Sequence, residues 1–173
     1  ITAGLLAASG ILAALVHRNK TGEGQKVDTS LFEAGIVHTY WQSAIAGATG
    51  ESPGPLGSAH PLTAPYQAFK TKDKWITVGA SNQNTWLMLL KAIDRMDLQE
   101  NEMFSSNFNR KENITQLVEI LNSELIKKTS KEWLKIFDDN GLPCGPINSI
   151  NEMFVDPQTI EREMIIDVDN KKA

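Results

Sequence analysis

A lone histidine in a rigid loop, one cysteine and a few paired aspartates are the residues of this chain best equipped for chemistry. The most suggestive set is Gly57-Ser58-Ala59-His60-Pro61-Leu62-Thr63-Ala64-Pro65-Tyr66. Each proline fixes φ and extends the residue before it, so Pro55, Pro61 and Pro65 set a path for the backbone. Pre-set loops on a firm sheet are where binding sites are built; the competing reading is a surface excursion between two halves of a fold. His60 is placed to touch a ligand there, with Ser58 and Thr63 as hydrogen-bond donors. Cys144 has no sequence neighbour that would lower its pKa, and reads as a buried structural thiol rather than a nucleophile. A single cysteine excludes an internal disulfide and a thiolate zinc cluster, and the three separated histidines make no standard ligand set. Asp138-Asp139 and the Asp167/Asp169 pair lack calcium-loop spacing and read as solvated charge. No serine–histidine–aspartate arrangement can be assigned, so the residues alone predict neither a metal site nor a complete catalytic set.

The elements that would position these groups follow from composition and periodicity. At 173 residues, 41% apolar with four tryptophans, the chain is long enough for one domain or a domain and a half with a real core. A net charge of -4 argues against a nucleic-acid surface, which needs clustered cations. Residues 1–16 carry no charge but fall short of the roughly 18–20 residues a bilayer requires. No signal peptide and no membrane span are expected from them. Ala3, Ala7, Gly10 and Ala14 instead form a small-residue ridge opposite Leu5, Leu12 and Val16, predicting a helix buried on every side. The chain starts at Ile1 inside that pattern and ends in a strand-like run, Val168 to Ala173, so a piece of a longer protein is expected.

His17-Arg18-Asn19-Lys20 suits a helix C-terminus, and Gly22 and Gly24 supply the exit. The GxG follows a helix and lacks a third glycine, so it is no dinucleotide fingerprint. Lys26–Thr29 predicts a short strand. A second helix of about fifteen residues follows, capped by Thr29 or Ser30 with Glu33 in a capping box. Its inward face would carry Ile36, Tyr40, Ala44 and Gly47, with His38 packed or at the surface. Tyr66–Thr71 and Trp75–Ala80 predict a hairpin with Phe69, Ile76 and Val78 buried. Asn82 caps a helix presenting Trp86, Leu89, Leu90 and Ile93. Residues 97–108 read as an exposed polar excursion. Asn109 with Glu112 would open an amphipathic helix carrying Ile114, Leu117, Val118, Leu121 and Leu125. Thr129 and Glu132 form a capping box ahead of Trp133, Leu134 and Phe137, and Asn140-Gly141 ends that helix. Leu142–Ile147 must be extended and kinked, and Asp156-Pro157 starts a last short helix.

Read in order, several of these stretches resemble one family. Gly10-Ile11-Leu12-Ala13-Ala14-Leu15, Arg18, Thr21-Gly22-Glu23-Gly24-Gln25 and Val27-Asp28-Thr29-Ser30-Leu31 are similar to the central signature of the class III CoA-transferases. This is the CaiB/BaiF group, with its formyl-CoA, carnitine and dicarboxylate branches. The resemblance continues through Gly57–Pro61, Pro65–Phe69, Trp75–Val78, Gly141–Ile147 and Asp156-Pro157-Gln158. Each piece alone is weak; their order and spacing over nearly the whole chain make the set specific.

The resemblance implies an α+β fold: a fragment of an interlocked, two-domain, homodimeric transferase. Residues 1–50 would be part of a Rossmann-like large domain and a linker, 51–155 a small α+β domain with a hairpin and several helices, and 156–173 the start of the return. It implies CoA transfer between an acyl-CoA thioester and a small carboxylic acid through an enzyme-bound aspartyl intermediate. By family spacing that aspartate lies about ten residues before Gly10, just ahead of Ile1, so this chain would hold no catalytic residue and be inactive alone. Gly57, Ser58, Ala59, His60 and Pro61 correspond to a substrate loop that covers the active site. Coenzyme A thioester is the implied substrate, with no covalently bound cofactor, no metal, no nucleic acid and no membrane partner. The implied compartment is the cytoplasm, or the mitochondrial matrix in a eukaryote. The alternatives are an acyl-CoA racemase of the same superfamily, and a helical interaction module. The module would show Trp86, Trp133 and Phe137 together on one exposed face.

Overall fold

The computed structural model describes residues 1–167 and divides the chain into two units, Ile1–Pro55 and the part from Leu56 onward. The strand expected from Val168 to Ala173 lies outside the described residues.

In the first unit, α1 (Thr2–Thr21) ends where Gly22 takes up φ 79° and its N–H bonds Arg18 O at 2.8 Å. That is the left-handed exit expected of the glycine. The chain then runs back extended, and Val27 lies so close to Gly10 that a Cβ there would meet Val27 Cγ1 at 2.8 Å. The small-residue ridge therefore has a close neighbour at Gly10. The helix is nevertheless not buried: no residue of α1 is, and Leu5 and Leu12 are each more than 60% exposed. Periodicity states that such a surface needs cover without stating what supplies it, and three helices and one return segment are too few to wrap it. Lys26–Thr29 forms no strand, because no strand pairs with it among the described residues. Ser30 and Glu33 make the expected capping box, but the single long helix is two: α2 (Leu31–Val37) and α3 (Tyr40–Thr49). Thr39 Oγ1 bonds Ile36 O at 2.7 Å at the break, a local hydroxyl bond that competes with helix continuation. Ile36, Tyr40, Ala44 and Gly47, expected inward, are exposed, and Ala34 is the buried residue of the pair. His38 is at the surface, with Nε2 2.8 Å from Thr2 Oγ1.

The second unit is built on an antiparallel sheet ordered β1 (Tyr66–Lys70), β2 (Trp75–Gly79), β3 (Cys144–Pro146). The hairpin register pairs Phe69 with Ile76 and Gln67 with Val78, and alternation sends Phe69, Ile76 and Val78 to the buried side. The kinked segment around Cys144 proves to be an edge strand, pairing Val78 with Cys144 and Ile76 with Pro146. Edge position is what lets a proline without an N–H stay in the sheet.

Four of the remaining helices cover or flank this sheet: α4 (Gln83–Ala92), α5 (Asn107–Glu112), α6 (Ile114–Leu125) and α7 (Ser130–Asp139). Asn82 accepts the Thr85 N–H at the start of α4, and Thr129 accepts the Glu132 N–H at the start of α7, both in reciprocal boxes. Trp86, Leu89, Leu90, Leu117, Leu121, Leu125, Trp133 and Phe137 share one core with the sheet. Trp86, Trp133 and Phe137 are therefore buried together, which removes the exposed aromatic face that an interaction module would need. The stretch 97–108 is no exposed excursion. Two short 3-10 turns, Met96–Gln99 and Glu102–Phe104, bury Leu98 and Phe104. The amphipathic helix is opened by Ser106 rather than Asn109, and breaks at Asn113.

The hairpin turn also reaches the start of α7. Asp73 accepts the Ser130 N–H at 2.7 Å, and this bond chiefly holds its carboxyl below the usual range. Two short helices follow β3, α8 (Ile150–Phe154) and α9 (Pro157–Glu161), the latter capped by Asp156 with Pro157 at its first position. Glu152 ties α8 to the hairpin by an ion pair with Lys74 while accepting the Ser149 N–H at 2.9 Å. Together these bring its carboxyl down from 4.5 to about 2.

Leu121→Ala, at a fully buried position of α6, is expected to lower unfolding stability by about 2–5 kcal/mol in urea titration. Glu152 adds a pH signature. Its folded pKa lies below its ordinary one, so its stabilisation is complete above pH 4.5 and is lost as pH falls toward 2. Glu152→Gln should flatten that part of the stability profile, measured by thermal melts between pH 5 and pH 2.

Candidate functional site

The proline-rich loop is held to β1 by Ser58 and His60. Ser58 Oγ accepts the Ala68 N–H at 3.1 Å, and the His60 N–H bonds Tyr66 O at 2.9 Å. Gly57 opens it with φ 60°, a left-handed value that a side chain would strain. Inside the loop, His60 Nδ1 lies 3.1 Å from the Leu62 N–H donor and 3.2 Å from that of Thr63, with Thr63 Oγ1 also at 3.2 Å. A ring nitrogen that receives two backbone N–H groups is the acceptor, which leaves the neutral ring's proton on Nε2. The His60 ring lies parallel to Tyr66, interplanar angle 4° and centroids 5.3 Å apart. His60 thus organises the loop with one edge, while Thr63 turns its hydroxyl inward to it.

Tyr66 also lines an open cleft of about 350 Å³ on the sheet, together with Thr77, Gly79, Ser81, Pro143 and Cys144. The sequence reading missed this cleft because its walls come from β1, β2 and the start of β3 with their flanking residues, which meet only in the folded sheet. Two hydroxyl residues and a tyrosine give it polar groups without a charge. Cys144 is half-buried, with Sγ 3.9 Å from Leu134 O; burial and then the nearby Asp138 carboxylate push its thiol pKa up. That is the environment of an inert thiol, as its sequence surroundings imply.

The second set of residues missed by sequence reading lies on α5. Asn107 Nδ2 donates to Leu62 O at 2.9 Å, and Asn107 Oδ1 accepts the Ala64 N–H at 3.0 Å. Arg110, with no exposed surface, donates from Nε to Ala64 O at 2.8 Å and from Nη1 to Phe104 O at 2.9 Å and Gln83 Oε1 at 3.1 Å. Its guanidinium lies 5.0 Å over the Trp86 ring, and burial lowers its pKa. The available signal was Asn107, Arg110 and Lys111 at i, i+3 and i+4 behind Ser106, one face of a short capped helix. Among the described residues no three histidine, cysteine, aspartate or glutamate side chains converge on a metal position, and no helix is long and apolar enough to cross a membrane.

Comparison with known proteins places this geometry. The sequence matches the family described as CoA-transferase family III over residues 1–173. It is 31% identical to the succinyl-CoA:glutarate CoA-transferase of Homo sapiens over 170 residues, 98% of this chain and 39% of that protein. It is also 31% identical to the acetyl-CoA:oxalate CoA-transferase of Acetobacter aceti over 157 residues, 91% of this chain and 40% of that protein. Among solved structures, a CaiB/BaiF family protein from Brucella suis superposes with a TM-score of 0.80 at 32% identity, covering 96% of this chain and 44% of that one. The chain thus spans about two-fifths of the length of the curated relatives it matches.

The raised thiol pKa sets a checkable reactivity. Cys144 should alkylate with iodoacetamide more slowly than free cysteine at pH 8, with its rate still climbing above the ordinary thiol range. A rate equal to free cysteine would contradict the burial assigned to it.

Proposed function

Because this chain belongs to CoA-transferase family III, we propose that it forms the loop-bearing part of an enzyme that moves CoA from a small acyl-CoA thioester to a dicarboxylate acceptor. The observation that carries this reading is the family match along the whole chain, joined to relatives that act on succinate, glutarate and oxalate by name. Both of these relatives are named as transferases, which favours transfer over racemisation.

In this reading a carboxylate supplied ahead of Ile1 attacks the thioester carbonyl, releasing CoA thiolate and leaving a mixed anhydride. CoA thiolate then attacks the anhydride at the enzyme's carbonyl, frees the first acid, and rests on the enzyme as a thioester. The acceptor carboxylate attacks that thioester carbonyl, expelling CoA thiolate and forming a second mixed anhydride. The thiolate then attacks the acceptor's own carbonyl, which frees the enzyme carboxylate and releases the new acyl-CoA. Each of these acyl intermediates is open to hydrolysis, so water must be kept away from the reacting carbonyl. Gly57, Ser58, Ala59, His60 and Pro61 are the residues we assign to that covering role, with no residue of this chain acting as nucleophile. Neutral loop side chains suit the task, because a carboxylate attacks better where water does not solvate it. The working assembly in this proposal is an interlocked homodimer.

The test is an assay of the longer protein that carries this segment, with succinyl-CoA as donor and glutarate or oxalate as acceptor. Acceptor-dependent formation of the new acyl-CoA is the expected result; no transfer to any dicarboxylate overturns the reading. Residues 1–173 alone should give no turnover, and activity there would put the attacking carboxylate inside this chain.

A further inference from the structure

One face of α5 meets the loop at four backbone atoms within five residues. Asn107 binds Leu62 O and the Ala64 N–H, Arg110 binds Ala64 O, and Lys111 Nζ lies 3.3 Å from His60 O. These groups cannot pair along a ladder, since Pro61 and Pro65 lack N–H donors and break the strand path. Two of the three side chains carry charge, and hydrogen bonds from a charged donor are stronger than neutral ones. Among the described residues Arg110 does this without a carboxylate partner, stacked over Trp86 and with Nη2 unbonded. The loop tip is tied differently, by Ser58 Oγ to Ala68 N and by the Ala59 N–H to Leu56 O at 3.1 Å. Leu62 and Ala64 are therefore fastened to the helical layer, Ser58 to the strand, and His60 to both, through its O to Lys111 and its N–H to Tyr66 O.

We propose that Asn107, Arg110 and Lys111 form a positioning clamp that fixes the His60–Ala64 half of the loop, and thereby sets how completely the loop keeps water from the acyl transfer. This rests on the covering role assigned to the loop above. None of the three touches the reacting atoms; they act through the loop backbone. A slackened clamp leaves the attack by the acceptor carboxylate in place but admits water as a competitor. Water attacks the acyl carbon, the bond to the enzyme or to sulfur breaks, and the acid and free CoA thiol leave without forming a new thioester.

The measured quantity is the ratio of acyl-CoA hydrolysis to transfer in the longer enzyme, for Asn107→Ala and Lys111→Met. Partial unfolding lowers both rates together and leaves that ratio unchanged. Asn107→Ala should raise it by about three- to tenfold, the scale of one or two lost hydrogen bonds. Amide exchange at Ala64 should quicken by about tenfold while Leu121 in the core stays protected. An unchanged Ala64 exchange rate overturns the clamp directly, whatever the activity. A faster Ala64 with an unchanged ratio overturns its link to catalysis. Ser58→Ala separates the two ideas: if it raises the ratio and Asn107→Ala does not, the clamp fails and the covering loop stands. If neither variant moves the ratio, the covering role fails and the clamp falls with it.

Discussion

A three-stranded antiparallel sheet is too small to persist by its own hydrogen bonds, and β1 to β3 depend on what their buried face is pressed against. Phe69, Ile76 and Val78 are almost wholly removed from water beneath Trp86, Leu117, Leu121, Leu125 and Phe137. Burial of that apolar area is the dominant favourable term, and it fixes the strand register, since a slip of one residue would turn Ile76 and Val78 outward. The loop before β1 and the cleft on the sheet inherit their geometry from that register. The turn between β1 and β2 does too, because Asp73 must lie at the start of α7 to receive the Ser130 N–H.

The loop presents a different physical problem. A chain with proline at 55, 61 and 65 has few donors and little chance of regular pairing, yet its inner half packs against other elements. Side chains supply the missing partners: the His60 ring for two N–H groups, and Asn107 and Arg110 for the Ala64 peptide. A loop satisfied in this way is stiff without being part of the sheet, which is the property a cover over a water-sensitive carbonyl needs. The chemistry proposed for the family asks nothing more of these residues than exclusion and orientation.

Legibility varied with the range of the interaction. Capping boxes at Ser30, Asn82 and Thr129 close within three residues; the partners Glu33 and Glu132 were readable from the sequence, whereas Asn82 was read as a cap without its Thr85 partner. So was the hairpin, whose alternation and turn are contiguous. The third strand was not, because Cys144–Pro146 has no β-pattern of its own and becomes a strand only by lying beside β2. The clamp was missed for the same reason: 97–108 is polar in composition, and nothing local says that Leu98 and Phe104 turn inward or that Asn107 faces a loop more than forty residues earlier. The loop itself was picked out by its prolines and its histidine, although His60 proves to use Nδ1 on its own backbone.

Helix caps, the hairpin and family membership were thus determined by the sequence alone, the first two through local spacing and alternation, the third through short motifs kept in order from Gly10 to Gln158. Tertiary structure decided which polar groups meet: Arg110 over Trp86, Asn107 on the Ala64 backbone, Tyr66 between His60 and the cleft. The reason is that hydrophobic burial is nondirectional and readable as a pattern, whereas a hydrogen bond between distant residues exists only after the backbone has been brought within about 3 Å.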